Sequence, residues 1–135
     1  EQNLKINHLG SRKNLSKKLK RIIIDVVDST NKNTGTKINL AFNYGGRTEI
    51  IDAINKIKSN AITYKLLSKN LYIPNLPDPD LIIRTGGEKR LSNFLMWQSA
   101  YSELYFTKIL WPNFKIKLLN RILSNYFYRV RKYGK

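Results

Sequence analysis

Apolar positions along the chain form short runs that alternate with helically spaced stripes, a pattern that predicts strands and helices in turn. The predicted elements are strands at 4–9, 37–42, 80–84 and 103–107, and helices at 14–30, 47–59, 63–70, 92–101 and 115–132. The inward residues predicted for two of these helices are Ile50, Ile51, Ile54 and Ile57, and Ile116, Leu119, Ile122, Leu123, Tyr126 and Val130. Strands that alternate with helices predict an α/β fold, with a parallel β-sheet flanked by helices, over a single domain at 1–135.

The loop after the strand at 80–84 carries the most informative chemistry. It reads R-T-G-G-E-K-R over residues 84–90 and follows a short apolar run. Ligands of an open parallel sheet bind at the carboxyl ends of the strands, where Arg84 and Arg90 are predicted to lie. Arginine stays charged and presents a planar fork to phosphate oxygens, so two arginines can clamp a diphosphate.

Two glycines and a serine fit the same interpretation. Gly86 and Gly87 permit positive φ and leave room for the backbone to approach a ligand. Ser92 can donate to a phosphate oxygen or, with Asn93, cap the helix predicted at 92–101. The spacing alone leaves another interpretation open, because basic loop residues are usually solvated and Gly-Gly is usually only a turn.

Two longer motifs resemble a known family. The string R-T-G-G-E-x-R-x-S-N-F-L-x-W-Q-x-A-Y-x-E-L-Y-F, followed by L-W-P, covers residues 84–112, and N-Y-G-G-R-x-E-I covers residues 43–50. Together they closely resemble the cis-prenyltransferases, specifically the bacterial undecaprenyl diphosphate synthases. The resemblance extends over essentially the whole chain and implies the same α/β fold.

The resemblance implies condensation of isopentenyl diphosphate onto an allylic prenyl diphosphate such as farnesyl diphosphate, with cis geometry. The product would be an undecaprenyl-type diphosphate for the cell-wall lipid carrier. Arg84, Arg90 and Ser92 would bind isopentenyl diphosphate. Glu103 would be a Mg²⁺ ligand contributed across a homodimer interface, although an ordinary surface carboxylate paired with a lysine is the alternative.

One family motif is missing from this sequence. The family's D-G-N-x-R-W motif, whose aspartate works with the metal and the allylic diphosphate, does not occur here. We therefore expect the chain to be the C-terminal part of such an enzyme, incomplete at the N-terminus, with the catalytic aspartate elsewhere and no activity of its own. A non-catalytic or degenerate remnant of the family is the alternative.

Composition narrows the remaining function classes. The 135 residues include no cysteine and carry a formal net charge of +16. Without cysteine there is neither a disulfide nor a thiolate zinc site, which suits a cytoplasmic location. The basic charge is spread over both halves, so nucleic acid is not an expected partner and a basic RNA- or membrane-binding module is the less favoured interpretation. Peripheral association with the inner face of the membrane stays open.

Two further segments have no settled role. The loop from Asn43 to Arg47 follows a strand and precedes a helix, which suits a second anion site. The resemblance instead suggests a position near the active site and the subunit contact. The basic tail Arg131-Lys132-Tyr133-Gly134 resembles the glycine-ending tail of the family and is predicted to reach the site of the partner subunit.

Overall fold

The computed structural model of the chain describes residues 3–74 and 76–129. The chain folds as two compact units, Glu1–Asn75 and Leu76–Lys135. Each unit contains one pair of parallel strands together with helices, so the α/β class predicted from the sequence is confirmed. Across the described residues, no helix is both long and apolar enough to cross a membrane.

The first unit is built on strands β1 and β2. Its elements are β1 (Lys5–Leu9), α1 (Lys17–Thr30), β2 (Lys37–Ala41), α2 (Gly46–Lys56) and α3 (Tyr64–Asn70). The two strands pair in parallel, with Lys5 opposite Lys37 and Leu9 opposite Ala41. Ser16 caps α1, because its hydroxyl accepts a hydrogen bond from the Leu19 amide at 3.2 Å.

The second unit is built on strands β3 and β4. Its elements are β3 (Leu81–Arg84), β4 (Glu103–Phe106), a short 3-10 helix (Trp111–Asn113) and α4 (Ile116–Phe127). The strands pair in parallel with Leu81 opposite Glu103 and Arg84 opposite Phe106. The buried apolar residues of this unit come from β3, the β3–β4 connection and α4. They are Ile82, Leu95, Leu118 and Ile122.

The helix predicted at 92–101 is wrong. These residues form successive turns, and Ser92, Asn93 and Leu95 have φ values of 49°, 67° and 46°. A right-handed helix cannot include such residues, since its backbone requires negative φ. Ser92 and Asn93 therefore belong to a turn and do not cap a helix.

Two predicted helices have inward faces that differ in part from the expected ones. In α2 the buried side chains are Glu49 and Ala53, whereas Ile51 is exposed. In α4 Ile122 is buried as predicted, but Ile116 is exposed and Leu118 is buried in its place. The other predicted inward residues that are described are half-buried, so apolar spacing located the inner side of each helix but not its most buried positions. Residues 130–132 of the last predicted helix, and the tail at 131–134, lie outside the described residues.

Candidate functional site

Arg84 ends strand β3 at its carboxyl edge, and its guanidinium is held there by the loop that follows. Arg84 Nη1 donates to the Ser92 hydroxyl oxygen at 2.9 Å and also to the backbone carbonyl of Arg90. The structure thus brings the side chains of Arg84 and Ser92 together, and it brings Arg90 to them through its backbone carbonyl. The turn conformation of Ser92 points its hydroxyl to this arginine, whereas the sequence offered helix capping as the alternative.

The Gly86-Gly87 turn is fastened to the segment after β4. The Gly86 amide donates to the carbonyl of Ile109 at 3.0 Å, and the Gly87 amide donates to that of Thr107 at 2.9 Å. The φ values of the glycines are 92° and 89°, so the predicted need for positive φ is confirmed. Because both amides already have backbone partners, they fix the shape of the loop and do not point to a ligand.

Arg90 pairs with Glu88 two residues earlier in the same loop. Both side chains are more than half exposed, at 61% for Arg90 and 51% for Glu88. An exposed pair of this kind adds little to stability and exchanges partners readily. The Arg90 guanidinium is therefore accessible to an anion that arrives from solvent.

Glu103 begins strand β4 and lies away from the arginines. Its carboxylate pairs with Arg129, beyond the end of α4. Because Glu103 is opposite Leu81 in the strand register, about 10 Å of strand separates it from the level of Arg84. A single chain does not bring Glu103 into the arginine cluster.

The loop from Asn43 to Arg47 fastens the carboxyl ends of β1 and β2. The Asn43 side-chain amide donates to the carbonyls of Ser11 at 2.7 Å and Lys13 at 3.1 Å, and the Ser11 amide donates back to the Asn43 carbonyl at 3.0 Å. Asn43 itself has φ of 53°, a conformation that asparagine tolerates well. The side-chain amide of Asn43 thus stabilises the conformation of the loop through these hydrogen bonds.

Glu49, Tyr44, Tyr72 and Asp52 form a hydrogen-bonded network that was not predicted from the sequence. Glu49 is 1% exposed and accepts from the Tyr44 hydroxyl at 2.6 Å and from the Tyr72 amide at 3.0 Å. The Tyr72 hydroxyl in turn donates to Asp52 at 2.6 Å. Burial, followed by the hydrogen bond to Asp52 and the charges of Asp52 and Glu49, raises the pKa of Tyr72. The one signal in the sequence was the glutamate of N-Y-G-G-R-x-E-I, but its tyrosine partner at 72 is too distant along the chain to be read from it.

The described residues contain no group of three or more histidine, aspartate or glutamate side chains placed to hold a metal ion. Carboxylate oxygen is nonetheless the donor that Mg²⁺ prefers, and Mg²⁺ usually keeps several water or phosphate ligands.

Arg84 and the loop that carries Arg90 lie at the carboxyl end of β3, the edge of a parallel sheet at which ligands bind in α/β proteins. The model of the undecaprenyl diphosphate synthase family matches residues 1–134. The isoprenyl transferase of Fusobacterium nucleatum is 47% identical over 129 residues, which cover 93% of this chain and 55% of that protein. That of Neisseria meningitidis serogroup B is 43% identical over an alignment of 138 positions, which covers the whole chain and 56% of that protein.

Two solved structures of proteins with related names have the same fold as this chain. The crystal structure of a probable undecaprenyl diphosphate synthase from Campylobacter jejuni matches with a TM-score of 0.91 and 36% identity, covering 98% of this chain and 64% of that one. Lavandulyl diphosphate synthase from Lavandula x intermedia, in complex with dimethylallyl diphosphate, matches with a TM-score of 0.92 and 32% identity, covering all of this chain and 62% of that one.

The chain belongs to the undecaprenyl diphosphate synthase family of cis-prenyltransferases. It spans a little over half the length of the curated relatives it matches. The resemblance noted from the two motifs is confirmed at the level of the family.

Proposed function

We propose that this chain contributes the isopentenyl diphosphate site of a cis-prenyltransferase that makes an undecaprenyl-type diphosphate. The observation that carries the proposal is the contact of Arg84 with Ser92 and with the Arg90 carbonyl at the carboxyl end of β3. A relative of the same fold is bound to dimethylallyl diphosphate, which is an allylic diphosphate. That complex supports substrates of this chemical class.

In the proposed reaction the allylic C–O bond breaks, and its electron pair leaves with the diphosphate. The double bond of isopentenyl diphosphate then forms a carbon–carbon bond to the allylic carbon, and the carbon next to the resulting cation loses a proton to the released diphosphate, which leaves a new cis double bond. Arg84 and Arg90 would hold the diphosphate of isopentenyl diphosphate by charge-assisted hydrogen bonds. Holding this group orients the double bond for attack, which supplies a large part of the catalysis.

The contacts of Arg84 support a preorganised anion site. Ser92 and the Arg90 carbonyl fix the guanidinium at one end of the loop, so little side-chain freedom remains to be lost when an anion binds. Arg90 needs only to exchange the exposed carboxylate of Glu88 for a phosphate oxygen. The Ser92 hydroxyl can in addition donate to the same ligand.

Magnesium is the proposed cofactor, and Glu103 would be its ligand from this chain. The half-buried Glu103 carboxylate suits a hard cation, provided that it exchanges its ion pair with Arg129. When bound, the ion would neutralise part of the diphosphate charge. Because Glu103 and Arg84 lie at opposite ends of the strand pair, we propose that a homodimer brings the Glu103 of one copy to the arginines of the other.

Binding of isopentenyl diphosphate to the chain, measured by isothermal titration calorimetry, tests the proposal. Arg84→Ala and Arg90→Ala should each weaken binding by roughly ten- to a hundredfold, the effect of losing one charge-assisted hydrogen bond. Arg121→Ala, which removes an exposed arginine from α4 of the same unit, is the matched control. Equal affinities for all three variants would refute the site.

A further inference from the structure

Lys108 follows strand β4 by two residues and lies at the same carboxyl edge as the loop of Arg84 and Arg90. The register that places Arg84 opposite Phe106 brings Lys108 level with the Gly86-Gly87 turn. The local sequence does not indicate a role for Lys108, because its position depends on how the two strands pair.

Hydrogen bonds on both sides hold the Lys108 backbone against this turn. On one side, Thr107 donates its amide to the Arg84 carbonyl at 2.9 Å and accepts from the Gly87 amide at 2.9 Å. On the other side, the Ile109 carbonyl accepts from the Gly86 amide at 3.0 Å. The backbone of Lys108, and with it the Cα atom from which the side chain extends, is therefore held against the Gly86-Gly87 turn.

The Cα and Cγ atoms of Lys108 lie beside Gly87. A Cβ atom added to Gly87 would lie 3.9 Å from the Lys108 Cα and 4.0 Å from its Cγ, which is ordinary van der Waals contact. Lys108 is exposed, and it takes no part in the ion pairs of Arg21, Arg90 and Arg129. A lysine with its Cα and Cγ beside Gly87 can bring its ammonium group to the turn, whereas Glu88 offsets the charge of Arg90.

We propose that Lys108 is a further substrate-binding residue, a third cation that contacts the diphosphate held by Arg84 and Arg90. The inference rests on the proposed function, since it requires a diphosphate at the arginine loop. Lysine is a compact point charge on a flexible four-carbon stem, so it can follow a phosphate group that the two rigid guanidinium forks orient. Its ligand is the diphosphate group of a diphosphate monoester.

An exposed lysine is ordinarily a solvated charge, so the test must separate contact from net charge. Inorganic pyrophosphate is the probe, titrated calorimetrically into the full chain at low salt. Lys108→Gln should bind pyrophosphate on the order of three- to tenfold more weakly than the unchanged chain. Lys108→Arg, which keeps the charge, should stay within twofold of it.

Lys18→Gln supplies the matched control, because it removes one exposed lysine charge from α1 in the other unit. Its pyrophosphate affinity should be unchanged. The difference between the two glutamine variants should shrink as salt is raised, since screening weakens an exposed charge contact. Circular dichroism should show the same fold for every variant.

Equal pyrophosphate affinities for Lys108→Gln and Lys18→Gln would overturn the inference. If Arg84→Ala weakened binding in that same series, the proposed function would stand and only the role of Lys108 would fail. If neither Arg84→Ala nor Lys108→Gln changed the affinity, or the unchanged chain did not bind pyrophosphate, both proposals would be wrong.

Discussion

Arg84 and Glu103 lie at opposite ends of one pair of parallel strands. Arg84 is the last residue of β3, and Glu103 is the first residue of β4, opposite Leu81. The guanidinium of Arg84 is held by the loop beyond β3, and the carboxylate of Glu103 is held by Arg129. Within one chain, the guanidinium of Arg84 and the carboxylate of Glu103 therefore have different neighbours. In the proposed homodimer, the Glu103 of one copy would lie near the Arg84 of the other.

The arginines should act on one substrate more than on the other. In a catalytically active protein containing this chain, Arg84→Ala or Arg90→Ala should raise the KM for isopentenyl diphosphate about ten- to a hundredfold. The KM for the allylic diphosphate should change far less, because the proposed contacts are to isopentenyl diphosphate. Steady-state kinetics with each substrate varied in turn measures both values. Equal increases in the two constants would mean that the arginines act structurally.

Glu103→Gln should make activity depend more steeply on Mg²⁺. The substitution keeps size and hydrogen bonding but removes the charge that a hard cation requires. Activity should therefore fall strongly at low Mg²⁺ and recover in part at high Mg²⁺. Arg129→Gln is the control, since it breaks the same ion pair and leaves the carboxylate in place. If both variants showed the same Mg²⁺ dependence, the effect would come from the lost ion pair and the metal assignment would be wrong.

Mixed dimers test whether Glu103 acts across a subunit boundary. In a catalytically active protein containing this chain, a copy carrying Glu103→Gln and a copy carrying Arg84→Ala should each be weakly active alone. Their hybrid would contain one site with an intact Arg84 and the partner's intact Glu103, so co-expression should restore activity. No restoration in a hybrid that is shown to form would place both groups in one chain and contradict the proposed dimer.

Gly10→Ala should destabilise the chain more than Gly86→Ala. Both glycines have positive φ, at 142° and 92°, so alanine is strained at either position by about 1–2 kcal/mol. At Gly10, however, the added Cβ would clash with the carbonyl oxygens of Phe42 and Asn43, whereas at Gly86 the nearest side-chain atom is 4.0 Å away. Thermal unfolding of the two variants measures the difference. Equal losses of stability would show that the β1–β2 edge relaxes around the added methyl group.

Tyr72 should contribute to loss of stability at alkaline pH. Burial and the carboxylates of Asp52 and Glu49 raise its pKa above the ordinary value of 10.0. The unfolded chain therefore loses this proton first as the pH rises above about 10, and stability falls through that window. Tyr72→Phe should flatten this part of the profile of unfolding free energy against pH. Tyr128→Phe, at an exposed tyrosine, is the control and should leave the profile unchanged.

Local pattern in the sequence was enough to predict the strands, the α/β class and the residues of the arginine loop. Strands such as β3 are short apolar runs, and helices such as α1 have apolar residues every three or four positions. Both kinds of element can therefore be recognised from a short stretch of sequence. The neighbourhood of Arg84, Arg90 and Ser92 was also predictable, because all three lie in one loop after one strand.

Only the tertiary structure decided what depends on contacts between distant residues. Residues 92–101 form turns with positive φ at Leu95 where a helix was expected. The most buried positions of α2, Glu49 and Ala53, lie outside its predicted isoleucine stripe. The same holds for the pairing of Glu103 with Arg129 and for the place of Lys108 beside Gly87. Such arrangements follow from strand register and packing, which join segments through long-range contacts that a local pattern does not encode.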